Sequence, residues 1–147
     1  MSVPLFLEFV RKYKLDITPI RSERATTTAK EAAKVHGVPI SNIVKSLLVR
    51  EANGEFVVYL CPGDKRLELK EGARMATADE VKEVTGHSIG GVPPFGHKRP
   101  LRIIIVDGFD ESAPLWAAAG APDTNFKTSL SELQRIIEKI SREKNMG

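Results

Sequence analysis

The chain predicts a mixed α+β fold. Helical spacing with capping signals recurs at the start, the middle and the end. Near-continuous runs of Val, Ile and Leu lie between those helices. The resulting order is helix, helix, hairpin, helix, strands, helix, which lacks the regular alternation of a doubly wound sheet. At 147 residues, 41% hydrophobic and 28% charged, the chain has the length of one domain, 1–147, and a globular rather than disordered or collagen-like composition.

The first helix is expected over about 3–14. Ser2 suits an N-cap, Pro4 the first turn, and Leu5, Phe6, Phe9, Val10 and Tyr13 recur near helical spacing. Leu15–Ile20 reads as extended, with Pro19 stopping it. Thr28-Ala-Lys-Glu31 matches a capping box, in which the hydroxyl takes a backbone N–H three residues on and the carboxylate reaches back. An Ala-rich helix follows and Gly37 ends it. The same pattern at Thr77–Glu80 and Ser129–Glu132 starts helices near 78–84 and 130–141.

Three strong strands are expected at Ile43–Arg50, Glu55–Cys61 and Leu101–Asp107, each apolar enough to be covered on both faces. Asn53-Gly54 reads as a tight hairpin turn between the first two. Weaker strands are expected at Arg74–Ala76, Leu115–Ala119 and Asn125–Lys127. Pro62-Gly-Asp-Lys-Arg66 reads as a turn, with Asp64 placed to cap a short helical segment.

The net charge of +3 is unevenly spread. Residues 1–75 hold 13 Lys/Arg against 9 Asp/Glu, and residues 76–147 hold 9 against 10. The densest basic stretch is Arg11, Lys12, Lys14, Arg21 and Arg24, which suits either a solvated face or contact with phosphates. Cys61 is the only cysteine, so no intrachain disulfide and no Cys-based zinc site can form. The three histidines lack metal-ligand spacing, no cofactor motif is present, and a reducing cytoplasm is expected. No signal peptide or membrane span is evident.

Three features break the structural pattern. Lys45 stands inside Ile43-Val-Lys-Ser-Leu-Leu-Val49, an otherwise apolar strand. Such an ammonium snorkels to solvent, pairs with a carboxylate, or lines a cavity and meets an anionic or carbonyl ligand. Ser46 beside it is small and polar. Thr85-Gly-His-Ser-Ile-Gly-Gly-Val-Pro-Pro-Phe-Gly96 is a stiff, irregular loop in which Gly90 and Gly91 allow close approach to the backbone; a plain connector is the alternative. Ala117-Ala-Ala-Gly120 suits a pocket wall or close packing of two elements. No nucleophile constellation stands out, and a lone strand cysteine reads as a core residue.

In this order these segments resemble the YbaK/ProX family of aminoacyl-tRNA editing domains, also found inserted in bacterial prolyl-tRNA synthetases. The similarity is carried by the Ala-rich helix ending in His-Gly-Val, by Ile43–Val49, by Val57-Val-Tyr-Leu-Cys-Pro-Gly-Asp-Lys-Arg66, by the glycine loop, by Gly120 and by the final Leu-Ser-Glu-Leu helix, and it runs from about Thr26 to Ile140. It implies a compact α+β domain with a mixed, strongly curved, barrel-like sheet flanked by helices.

It also implies an activity: a free-standing hydrolase that cleaves the ester between a wrong amino acid and the 3′ end of tRNA, tRNA-Pro carrying Cys or another small residue being the expected substrate. The alternatives are a non-catalytic module of the same fold that binds tRNA or a synthetase, and a small-ligand-binding protein. The family's functional lysine maps onto Lys45, with Ser46, Gly90, Gly91 and Gly120 as substrate-binding positions and Lys45 orienting the ester. Arg11, Lys12, Arg21 and Arg24 are expected to contact tRNA. The tRNA acceptor end is the expected partner, with prolyl-tRNA synthetase a second one. The alanine-editing branch carries Gly-x-His after the late strand. This chain reads Gly120-Ala-Pro122-Asp123 instead, which weakens the case for alanine and leaves cysteine and other small residues open.

Overall fold

The structure is a computed structural model that describes residues 3–146; Ser2, the expected first cap, lies outside the described residues. Helix α1 (Val3–Lys12) buries Phe6 and Val10. It ends two residues before the expected position 14. Lys14 adopts a left-handed φ of 52°, and the Leu15 N–H returns to the Val10 carbonyl at 3.0 Å, closing the helix. The extended run that follows pairs only beyond Pro19, as strand β1 (Ile20–Arg21).

Helix α2 (Ala29–His36) is capped by Thr28 and ended by Gly37 at φ 64°. A 3-10 turn (Ile40–Asn42) leads into β2 (Val44–Arg50) and β3 (Phe56–Pro62). Then come β4 (Arg74–Met75), α3 (Ala78–Thr85), β5 (Arg102–Ile105), β6 (Leu115–Ala121), β7 (Thr124–Thr128) and α4 (Leu130–Met146). Of the three expected capping boxes, α3 closes both halves. At α2 and α4 the hydroxyls of Thr28 and Ser129 accept the expected backbone N–H, but the Glu31 and Glu132 carboxylates take threonine hydroxyls instead.

The β2–β3 turn is a three-residue loop, Ala52–Gly54, rather than a two-residue one. Glu51 N–H meets the Glu55 carbonyl at 2.8 Å, and Gly54 takes φ 89°. No helical segment follows Asp64. Pro62–Lys65 is a simple turn closed by Lys65 N–H on the Pro62 carbonyl.

Among the described residues seven strands form two sheets. One is antiparallel, in the order β1-β7-β6. The other, β4-β2-β3-β5, is mixed, because β5 runs parallel to β3. The expected mixed sheet is therefore present, but the strands do not close into a barrel: a single parallel bridge, Ile43 to Trp116, links the two sheets. Phe6 stacks on Phe95 and Phe126 at 5.7 and 5.2 Å between ring centroids, drawing α1, the glycine loop and β7 into one core with Leu133 and Ile136 of α4. Strand β3 is covered on both faces, as its composition predicts. Strands β2 and β5 are only partly covered, and on β2 the uncovered stretch positions the site.

Candidate functional site

At the Ile43–Trp116 bridge β2 and β6 lie side by side; beyond it each has an edge without a neighbouring strand. Strand β4 covers only the far end of β2, pairing Val49 with Met75 and Arg50 with Arg74, while the Ala76 N–H meets the Leu48 carbonyl at 3.0 Å. A cavity of about 380 Å³ fills the gap. Its walls are Val44–Leu48 of β2, Trp116–Ala118 of β6 with Asn125 of β7, Thr26–Ala29 at the start of α2, and Gly90 and Val92 of the glycine loop. Among the described residues lining it none is acidic, and Lys45 is the one cation.

Lys45 and Ser46 both border the cavity but on opposite faces of β2. The Lys45 ammonium donates to the Lys65 carbonyl at 2.5 Å. That carbonyl is presented by the Pro62–Lys65 turn, which requires glycine at 63: a Cβ there would sit 2.3 Å from the Ile40 carbonyl oxygen. Of the three readings of Lys45, pairing with a carboxylate is not what the structure shows. Cys61 lies opposite Lys45 on β3, fully buried. Burial pushes its thiol pKa up, which suits a core residue rather than a nucleophile. The Ser46 Oγ is buried with no hydrogen-bond partner.

The glycine loop divides the expected contacts. Gly90, at φ 91°, packs over Thr27 and lines the cavity. Gly91 and Gly120 stand behind it. Gly91 N–H donates to the Ser88 carbonyl and Gly120 N–H donates to the Gly91 carbonyl, both at 2.9 Å. A Cβ on Gly91 would meet Ala121 Cα at 2.9 Å. Neither glycine lines the cavity; the Gly120 N–H on the Gly91 carbonyl fastens the loop to β6.

Two histidines hold the same loop. His87 Nε2 is 3.1 Å from the Gly96 carbonyl and His97 Nε2 is 2.8 Å from the Pro93 carbonyl, so each ring carries its proton on Nε2. Burial lowers both pKa values, that of His97 to about 4, and keeps the rings neutral.

A polar cluster at the far wall, backed by His36, has no counterpart among the sequence-predicted residues. The ring of His36 stacks on Trp116 at 3.8 Å and 7°, and its Nε2 reaches Asn125 Oδ1 at 3.0 Å. The Thr26 hydroxyl lies 2.7 Å from the Pro122 carbonyl and 3.1 Å from the same Asn125 oxygen. The only hint in the sequence is an Asn and a Trp among small strand residues. The four join because α2 and β7 come together, which spacing along the chain does not disclose.

The basic stretch is split. Arg21 pairs with Asp123 at 3.0 Å, beside the turn that Thr26 grips, and exposed Arg24 lies on the segment leading to the cavity. Arg11 and Lys12 sit at the end of α1, where the Lys12 ammonium lies over the Tyr13 ring; neither lines the cavity. Among the described residues no cluster of three His, Cys, Asp or Glu could hold a metal, and no helix is long and apolar enough to cross a membrane.

Comparison with known proteins agrees with this architecture. The family model of the aminoacyl-tRNA editing domain matches residues 23–136. The protein YwhH of Bacillus subtilis is 30% identical over 121 residues, covering 78% of this chain and 77% of that protein. A proline–tRNA ligase of Bacillus licheniformis is 36% identical over 122 residues, covering 78% of this chain but only 21% of the ligase. A crystal structure described as that of a candidate trans-editing enzyme for prolyl tRNA synthetase superposes with a TM-score of 0.84 at 32% identity, covering 93% of this chain and 92% of the other. With a match over most of its length and a fold shared at this level, the chain belongs to the aminoacyl-tRNA editing domain family.

Proposed function

We propose that this protein hydrolyses the ester of a misacylated tRNA, acting in trans on the acceptor end of tRNA-Pro charged with a small amino acid such as cysteine. The observation that carries this reading is the cavity itself. It is lined mostly by apolar side chains, free of carboxylates among the described residues, and bordered by Lys45 and an unpaired Ser46 hydroxyl. An anionic RNA end carrying a small uncharged side chain complements such a site. The wider reading includes a cytoplasmic setting and prolyl-tRNA synthetase as the source of the mischarged product.

Water attacks the carbonyl carbon, the bond to the ribose oxygen breaks, and amino acid and free tRNA leave. An aminoacyl ester is already reactive, so fixed donors that meet the developing oxyanion lower the barrier without a triad. An ammonium has three donors; the Lys65 carbonyl takes one from Lys45, leaving two for the phosphate or ester oxygens of the 3′ end. Gly90 shapes the mouth, with Gly91 and Gly120 holding it in place.

Cys-, Ala- and Ser-tRNA-Pro incubated with wild type and with Lys45→Ala provide the test. Wild type is expected to release at least one amino acid. The variant is expected to lose about 100-fold or more in rate, on the scale of removing one oxyanion donor, with an unchanged circular dichroism spectrum. Full activity in the variant overturns the role of Lys45. Wild-type binding of these tRNAs without release identifies a binding module instead.

A further inference from the structure

Among the described residues of the cavity wall, Ser46 is the one with a buried side-chain polar atom that lacks a partner. Its Oγ is buried and unpaired. Its main chain faces the open edge for a reason set by the ladder. In an antiparallel pair, successive residues turn their N–H and C=O alternately toward and away from the partner strand. The Leu48 carbonyl points away from β3, because it accepts from Ala76. The β2–β3 register runs without a shift from Val44–Pro62 to Arg50–Phe56. Ser46, two residues from Leu48, therefore also points its N–H and C=O away from β3, at a position where the described residues offer β2 no paired strand on that side.

The gap has the length of one residue. It is closed on one side by the Ala76–Leu48 hydrogen bond and on the other by the Ile43–Trp116 bridge. Between those stops Ser46 is the middle outward-facing position. A backbone edge without a strand partner at a cavity wall, beside a buried hydroxyl that lacks one, fits a ligand that supplies both backbone partners.

We propose that the aminoacyl group docks on Ser46 as a single antiparallel β residue. This rests on the deacylase reading above and assigns the pose within that site. An aminoacyl ester has what one such residue needs, an ammonium N–H and a carbonyl oxygen on either side of one Cα. The ammonium donates to the Ser46 carbonyl, and the ester carbonyl accepts from the Ser46 N–H. When water adds, the carbonyl oxygen becomes the oxyanion and the same N–H holds it. The ester C–O bond then breaks, the ribose oxygen takes one proton of the attacking water, the other passes to solvent, and the N–H releases a carboxylate.

The pose also sets stereochemistry. A residue directly opposite Ser46 projects its side chain on the same face as that of Ser46. That face carries Val44 and Leu48, with Val81, Val92 and Ala117 across the cavity. An L-amino acid making both bonds places its side chain among these groups and beside the unpaired Ser46 Oγ. A D-amino acid making the same bonds projects to the opposite face, that of Lys45.

The probe is 3′-amino-3′-deoxyadenosine acylated through an amide with L- or D-alanine, which cannot be hydrolysed as an ester. Backbone amide exchange at Ser46 is followed by NMR with and without the probe, and hydrolysis of mischarged tRNA is measured separately. The L probe is expected to slow exchange at Ser46 at least tenfold and to bind at least tenfold more tightly than the D probe. Replacing residue 46 with the α-hydroxy analogue of serine, which removes only the N–H, is expected to lower kcat by about 100-fold. Hydrolysis by wild type with no protection at Ser46, equal binding of both probes, or an ester variant at full rate overturns the pose and leaves the deacylase standing. Protection at Ser46 without hydrolysis of any mischarged tRNA overturns the deacylase and leaves the pose. Failure of both measurements overturns both.

Discussion

Lys45 and Ser46 are neighbours in sequence with different surroundings, because a strand sends adjacent side chains to opposite faces. Lys45 was legible as an anomaly: a cation in an apolar strand is rare, and the residue borders the cavity. What it touches was not legible, since the Lys65 carbonyl reaches it only through the Pro62–Lys65 turn. Gly91 shows the same limit. Paired glycines signalled close backbone approach, and the approach is to Ala121 of the protein itself, at 2.9 Å from a would-be Cβ. Gly91→Ala is therefore expected to push the loop off β6 and strain the Gly120–Gly91 hydrogen bond. The expected loss of stability is about 1–3 kcal/mol, the usual cost of overpacking. It should appear as a lower denaturant midpoint together with reduced hydrolysis; an unchanged midpoint would show that the loop yields freely.

Among the elements, α3 is the one whose start follows its sequence signal completely. Thr77 accepts the Glu80 N–H at 3.2 Å, and Glu80 accepts the Thr77 N–H at 2.8 Å. Arg74 adds two further bonds to the same carboxylate, at 2.8 and 3.0 Å, and its guanidinium pulls the Glu80 pKa down to about 2. Thr77→Ala is expected to cost about 1 kcal/mol, a fall of about 3 °C in Tm for a chain of this size, read by thermal unfolding at neutral pH. A depressed carboxyl stabilises the fold above its unfolded pKa of 4.5 and loses that contribution as pH falls toward 2. Glu80→Gln should therefore lower stability at pH 7 and converge with wild type near pH 2. At α2 and α4 the same sequence pattern meets a threonine just before the cap, Thr27 and Thr128, and that hydroxyl competes for the carboxylate.

Across the whole molecule, His87 and His97 tie the glycine loop to acid stability. Both are held neutral, with folded pKa values below the unfolded 6.5. The unfolded chain takes up these protons first as pH falls, so stability is full above pH 6.5 and declines between 6.5 and about 4. Denaturant midpoints at pH 7, 5.5 and 4 measure the decline, and His97→Gln, which keeps a donor for the Pro93 carbonyl, should make it shallower. An equal slope in that variant would place the acid sensitivity elsewhere.

The sequence by itself determined the α+β class, all four helices, the β2–β3 hairpin and the family. These rest on periodicity, capping residues and local turns, which act within a few residues of chain. Tertiary structure decided that the strands form two sheets rather than a barrel-like one. It also decided that β2 is left open between Val44 and Leu48, that Gly91 and Gly120 bond each other, and that Thr26, His36, Trp116 and Asn125 form one cluster. Each of these depends on which distant strand edge lies beside which. The pattern of side chains along one strand records which face is buried, but not whether its backbone has found a partner.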